Sequence, residues 1–261
     1  MLGSDPGAAF TAIIQIGTEL AVILYFRHDI IRILGAWFGS LFGKEGKDFK
    51  SRMGAHNPDT QMGWFIILGT MPILIAGLLF KHAIEGSLRN LWITVTVLAL
   101  FGVLLWVVDA RSKQVKTMKE MTWKDALIFG IGQMLALIPG VSRSGGTITF
   151  GRAMGYTREA AVRVSFLMAI PAVFGAGILE AVSAVKDVAA GDAGMFPGWG
   201  PTIAAAIVAF VVGYVVIIGF LKFVSTFSYK AFAIYRIGLA IVVALLLITG
   251  VLSPLEAAAA A

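Results

Sequence analysis

The chain contains no cysteine. Disulfides, thiolate nucleophiles and zinc–sulfur sites are thereby excluded. Histidine is nearly as scarce: His28, His56 and His82 lie in or beside loops, and their spacing shows no cluster for a metal. Charge is sparse as well, at 14% of residues, where a soluble domain carries about 25%. A basic start and an apolar stretch are both missing from Met1–Ala9, so no cleavable signal peptide is read there. With 58% hydrophobic residues and a mean hydropathy of +0.87, the chain reads as a polytopic membrane protein. Residues 1–254 form one integral unit rather than several soluble domains. Residues 255–261, Leu-Glu followed by alanines, read as a tail or cloning scar. The net charge of +6 is spread through short loops, which suits anionic lipid headgroups and not nucleic acid.

Long apolar runs are what the sequence has in quantity. Ala8–Phe26, Met62–Phe80, Leu91–Val108, Glu159–Ala181, Thr202–Phe220 and Phe232–Leu252 are each long enough to cross a bilayer, with Pro72 and Pro171 inside two of them. Ile30–Phe42 reads as an amphipathic interfacial segment anchored by Trp37. Gly43–Gln61 is a polar loop, Lys81–Asn90 a short connection, Ala110–Asp125 a basic loop and Val182–Pro201 a Gly/Pro loop. Ala126–Ile138 is too short to cross a core of ~30 Å. The broken unit Ala126–Gly155 is therefore predicted to be a re-entrant hairpin.

Basic residues test this layout. Arg27 to Arg52 contributes six, Arg111 to Lys124 five, and Arg152, Arg158 and Arg163 three at the exit of the hairpin. Lys222, Lys230 and Arg236 are counted at the last turn, while Lys81, Arg89 and Lys186 are the sparse cations of the opposite side. If the hairpin re-enters from the cytoplasm, every basic-rich loop falls inside. The predicted fold class is an all-α polytopic membrane protein with six transmembrane helices, one re-entrant helical hairpin and both termini outside.

The hairpin is interrupted by Pro139-Gly140-Val141-Ser142-Arg143-Ser144-Gly145-Gly146-Thr147. A glycine-rich, hydroxyl-rich segment at membrane depth is tolerated only where it lines a cavity or is buried in protein. An arginine there costs roughly 2.5–3.5 kcal/mol on translocon scales, which marks Arg143 as a functional candidate. Gly140, Gly145 and Gly146 let the backbone turn its amides toward a ligand, and Ser142, Ser144 and Thr147 add hydroxyls, all at the mouth of the following helix. Such a constellation suits an anion, phosphate above all, and the arginine fork matches its oxygens. The plainer reading is a Pro/Gly helix break with Arg143 snorkelling to a headgroup. Three hydroxyls around one arginine fit that reading poorly. Gln15 and Glu19, four residues apart, share a helical face; Glu19 either faces the bundle interior or an aqueous cavity, or sits near the interface, or pairs structurally with a neighbour. Gln133, on the helix leading into the loop, is read as orienting a ligand or water.

The Pro139–Thr147 segment resembles the PGxSRSxxT signature of the bacterial undecaprenyl-diphosphate phosphatase family. Phe10–Val22, Gly69–Pro72, Gln133–Leu137, Phe166–Pro171 and Ala233–Arg236 are similar to that family too, in a form close to its actinobacterial members. The likeness covers nearly the whole chain, from Gly7 to Gly250. Members of the family begin with another helix–loop–helix unit, an inverted repeat of the hairpin that carries an acidic motif and a histidine. The resemblance implies that this chain starts downstream of that unit and without those groups.

As expectations, the resemblance implies an enzyme of the bacterial plasma membrane that hydrolyses undecaprenyl diphosphate to the monophosphate and inorganic phosphate, linked to peptidoglycan synthesis and bacitracin resistance. Arg143 would neutralise the phosphates, the Gly140–Thr147 loop would cradle them, and Ser142 would serve as phosphate ligand or as nucleophile. A divalent cation, magnesium or calcium, is implied as cofactor. The partners are the polyprenyl lipid and the bilayer, with a homo-oligomer left open. Broken helices meeting near the midplane are also a transporter pattern. A polyprenyl-phosphate flippase and an inactive truncated remnant are therefore the rival readings.

Overall fold

Local chemistry starts the helices where the sequence turns from polar to apolar. Asn57 accepts hydrogen bonds from the amides of Asp59 (2.9 Å) and Thr60 (3.4 Å) and opens a helix that has Pro58 in its first turn. Thr122 and Asp125 form a reciprocal capping box at the start of another. Asn90 caps a third through the amide of Trp92. In the computed structural model, which describes residues 7–85, 88, 90–190 and 197–254, eleven α-helices follow in order. They are α1 (Gly7–Tyr25), α2 (Arg27–Leu41), α3 (Phe49–Arg52), α4 (Pro58–Leu79), α5 (Lys81–Glu85) and α6 (Leu91–Arg111). Then come α7 (Trp123–Met134), α8 (Arg143–Ala153), α9 (Arg158–Ala190), α10 (Trp199–Thr226) and α11 (Lys230–Ile248). No β-strand occurs among the described residues; Lys116 and Tyr156 form an isolated bridge.

Among the described residues four helices, α4, α6, α10 and α11, are long and apolar enough to cross a membrane. Helix α1 lies against α10 and α9, α4 against α7 and α2, and α6 against α11, while α8 touches α7, α9 and α6. The core between them is built from Phe26, Phe129, Tyr156, Val162, Met168 and Val224, all nearly or fully buried. Close backbone approach sets the α1–α10 contact. A Cβ on Gly17 would stand 2.2 Å from the Ala206 carbonyl oxygen.

Polar side chains tie several helix ends into one face of the bundle. Asp109, at the end of α6, accepts from Arg152 of α8 (2.8 Å), from Arg158 of α9 (2.9 and 3.0 Å) and from the Tyr229 amide before α11 (3.1 Å). Asp125, at the start of α7, accepts from Lys116 (3.0 Å) and the Tyr156 hydroxyl (3.0 Å). Arg163 of α9 bridges to Asp29 of α2 at 2.9 Å. The start of α7 and the end of α8 therefore meet at the same face, as a hairpin requires.

The structure moves several sequence-based boundaries. The reading of Val182–Pro201 as a loop fails at both ends: α9 continues to Ala190 and α10 begins at Trp199. Alanine- and valine-rich sequence extends α9, and Pro201 sits within the first turn of α10, where its missing N–H costs nothing. Within Gly43–Gln61, α3 is capped by Asp48, whose carboxyl the Ser51 hydroxyl and amide hold below the usual carboxylate range. Trp37 does not point out as an anchor. Its ring meets Trp64 edge-on at 5.4 Å and closes on Gly63 of α4. Arg152 and Arg236 were counted as loop cations, yet Arg152 is fully buried on Asp109 and Arg236 lies inside α11. The predicted tail, residues 255–261, falls outside the described residues.

Candidate functional site

The break between α7 and α8 follows from its residues. A short 3-10 turn, Leu135–Leu137, tightens the end of α7, and Pro139 has no amide to continue it. Gly140 then adopts φ +97°, where a Cβ would stand 2.4 Å from the Thr94 carbonyl oxygen of α6. Ser142 has φ 68° and ψ 127°, an unusual pair for a residue with a side chain, and its Oγ accepts from the Gly145 amide at 3.2 Å to cap α8. Such backbone strain costs about 1–3 kcal/mol and clusters at ligand clamps and active sites. Ser142 is exposed, and Ser144 beside it is half-buried. The amides of Arg143 and Ser144, the first two of α8, have no carbonyl one turn behind them to bond. They are donors aligned with the positive end of the helix dipole.

Arg143 opens α8 and lines a cavity of about 450 Å³. Gln15, Thr18 and Glu19 of α1 complete its polar corner, and Val22, Phe166, Ile170 and Phe174 are among its apolar walls. Glu19 is 8% exposed, accepts from Gln15 Nε2 at 3.0 Å and lies against Gly177 of α9. The structure thus brings Arg143, Gln15 and Glu19 together, although Gln15 and Glu19 are 128 and 124 residues from Arg143 in the chain. Among the described residues the Arg143 guanidinium donates no hydrogen bond; Glu19 is the charge that faces it. A forked cation held beside one carboxylate at the polar corner of a largely apolar hollow is equipped to take an anionic headgroup whose tail is apolar.

Of the loop residues only Arg143 lines this cavity, and other predicted site residues are placed away from it. Thr147 is fully buried and its hydroxyl donates to the Arg143 carbonyl at 2.7 Å, so it braces α8. Gln133 is fully buried away from the cavity wall, with both amide atoms unpartnered among the described residues. Gly145 and Gly146 lie on the back of the loop. A Cβ on Gly146 would stand 2.3 Å from the Gly132 carbonyl oxygen, and one on Gly145 would stand 2.7 Å from Arg236 Nη1. Gly146→Ala should therefore separate α7 from α8 and cost about 1–3 kcal/mol of stability, as overpacking does. The check is thermal unfolding in detergent beside the KM for substrate; an unchanged midpoint with a raised KM would show that Gly146 serves ligand approach instead.

Sequence reasoning counted Arg236 as a cation of the last turn and did not place it at the site. Arg236 of α11 reaches behind the loop and donates from Nη2 to the carbonyls of Gly140 (2.5 Å) and Val141 (2.9 Å). It is 9% exposed. The available signal was its position six residues into an apolar helix, where an arginine needs a buried purpose.

Comparison with known proteins fits this geometry. The sequence profile of "Bacitracin resistance protein BacA" matches residues 1–242. An undecaprenyl-diphosphatase of Bifidobacterium adolescentis is 92% identical over 261 residues, covering 100% of this chain and 89% of that protein. The undecaprenyl-diphosphatase of Bifidobacterium animalis subsp. lactis is 77% identical over 98% of this chain and 86% of its own length. In Paenarthrobacter aurescens a protein of the same name is 54% identical over 93% of this chain and 84% of its own length. Matched by the family profile over residues 1–242 and by these relatives over nearly its whole length, the chain belongs to the bacitracin resistance protein BacA family.

Proposed function

We propose that this chain is an integral membrane phosphatase that hydrolyses undecaprenyl diphosphate to undecaprenyl phosphate and inorganic phosphate, recycling the lipid carrier of cell-wall synthesis. The observation that carries it is Arg143 standing beside Glu19 in a cavity with otherwise largely apolar walls. Near relatives named for this activity support the substrate.

The isoprenoid lies along the apolar walls, and the diphosphate meets the arginine and the first amides of α8. Arg143 neutralises the phosphate oxygens and the charge that spreads over them during transfer. The attacking oxygen, from water or from Ser142 Oγ, bonds to the terminal phosphorus as the bond to the bridging oxygen breaks. Undecaprenyl phosphate leaves with that bridging oxygen, and the proton of the attacking group passes to a carboxylate, for which Glu19 is the group in the cavity. Were Ser142 the nucleophile, water would release the phosphate from it in a second step.

A divalent cation, magnesium or calcium, fits as a companion of the substrate. Magnesium is held by one or two carboxylates together with substrate phosphates. Glu19 offers one carboxylate, and among the described residues no three acidic or histidine side chains form a cage. When bound, the ion would neutralise phosphate charge.

In the membrane, α1, α4, α6, α9, α10 and α11 form six crossings of the bacterial plasma membrane. The α7–α8 hairpin re-enters from the cytoplasm as one half of an inverted-repeat architecture, and both termini lie outside. The shared polar face that joins the ends of α6 and α8 to the starts of α7, α9 and α11 supports this arrangement.

Detergent-solubilised protein is expected to release inorganic phosphate from a polyprenyl diphosphate without any membrane gradient. No release with magnesium or calcium present, combined with uptake of the lipid phosphate in vesicles, would replace this reading with transport.

A further inference from the structure

The catalytic loop is held from behind by a group that takes no part in the chemistry described above. Gly140 and Val141 each direct their carbonyl oxygen to Arg236 Nη2 of α11. Arg236 lies ~9 Å into its helix, at 1.5 Å per residue from Lys230. Its Nη1 is placed where a Cβ on Gly145 would meet it at 2.7 Å, and its Nε is buried without a partner among the described residues. The guanidinium thus occupies the concave back of residues 140–145.

Burying an arginine here on two neutral carbonyls is costly, because no ion pair to a carboxylate is formed with it among the described residues. Core packing alone would be met better by leucine or methionine. The geometry gives the reason for an arginine. A peptide unit carries its N–H and C=O on opposite sides, so fixing the two carbonyls toward α11 fixes the planes of the 140–141 and 141–142 peptides. The second of these carries the Ser142 amide away from Arg236 and sets the plane from which the chain turns at the Ser142 φ of 68°. That backbone state is what aims the α8 amides and Arg143 at the cavity. Glycine at 140 and 145 supplies no stiffness of its own, so the stiffness must come from a neighbour.

We propose that Arg236 is a positioning residue for the phosphate loop: by holding the Gly140 and Val141 carbonyls it keeps Ser142, Arg143 and the first turn of α8 in the conformation that receives the diphosphate. This rests on the phosphatase reading of the site. Lysine can reach one carbonyl but cannot fork across both, and methionine can reach neither.

The test compares Arg236→Lys and Arg236→Met with the unmodified chain in detergent, reading phosphate release from a polyprenyl diphosphate, thermal unfolding and amide hydrogen exchange. Arg236→Met is expected to lose 100-fold or more in kcat and Arg236→Lys about 10-fold, with faster exchange at 141–145 and unchanged protection in the rest of α11. In an Arg143→Lys background, which keeps measurable phosphate release, Arg236→Met should add less than threefold, because both act through one loop. Wild-type kcat in Arg236→Met overturns the proposal, as does full multiplicative loss in the double variant. If Arg236→Met does not fold, Arg236→Lys decides: kcat within twofold of the unmodified chain, or exchange at 141–145 unaltered, overturns it. Absence of phosphate release from the unmodified chain would instead reject the phosphatase reading itself.

Discussion

Arg143→Lys is expected to lower kcat for phosphate release by about 10²- to 10³-fold, the range seen when one preorganised transition-state donor is lost. Lysine preserves the charge but replaces a planar fork with a single ammonium, so two oxygens of the transferred group can no longer be bound together. Stability should move in the other direction. The guanidinium donates no hydrogen bond among the described residues, and the cost of its burial exceeds its attraction to Glu19, so Arg143→Met relieves a partly desolvated charge. The melting midpoint of Arg143→Met should therefore equal or exceed that of the unmodified protein while phosphate release falls to background. Activity near the original rate in the lysine variant would show that charge alone matters here. A large drop in the midpoint would show that Arg143 is structural.

The membrane-crossing segments were legible because they depend on composition alone. An apolar run of about 20 residues cannot be accommodated otherwise, and the runs at Met62, Leu91, Thr202 and Phe232 became α4, α6, α10 and α11. The broken helix was legible for the same reason: Pro139 and Gly140 interrupt an apolar run too short to cross, and the structure has a turn there. Arg143 stood out because an arginine in that setting needs an explanation.

What was illegible depends on contacts between distant residues. Glu19 and Arg143 face one cavity only because α1 lies beside α9 and near the start of α8, which no spacing along the chain reveals. Charge counting treated Arg152 and Arg236 as surface cations because sequence shows charge but not burial. Both are inside, one on a carboxylate and one on carbonyls. Thr147 belongs to the signature yet turns its hydroxyl onto its own helix, as threonine does when a carbonyl four residues back is within reach. Helix ends were misjudged by up to nine residues at Val182–Ala190, where small apolar residues continue a helix that a nearby Gly/Pro stretch suggested had ended.

Asp109 shows how much of the fold rests on a residue just past the apolar run Leu91–Val108. Its carboxylate is 3% exposed and accepts from two guanidiniums and a backbone amide belonging to α8, α9 and the entry to α11. Arg152 is fully buried and its other donors go to the carbonyls of Asp109 and Tyr156. Removing the carboxylate leaves a buried guanidinium with no counter-charge, and breaking such a pair from one side costs about 3–5 kcal/mol. Asp109→Ala is therefore expected to lower the thermal midpoint more than any substitution in the cavity, with phosphate release lost as the hairpin ends separate. Pairing it with Arg152→Met should recover part of the loss, since the double variant buries no unpaired charge at that position, although Arg158 still loses its partner. Thermal unfolding of the two single variants and the double variant in one detergent gives the coupling energy directly. Additive losses would mean that Asp109 and Arg152 stabilise the bundle independently, and that the shared polar face is not the element holding α6, α8 and α9 together.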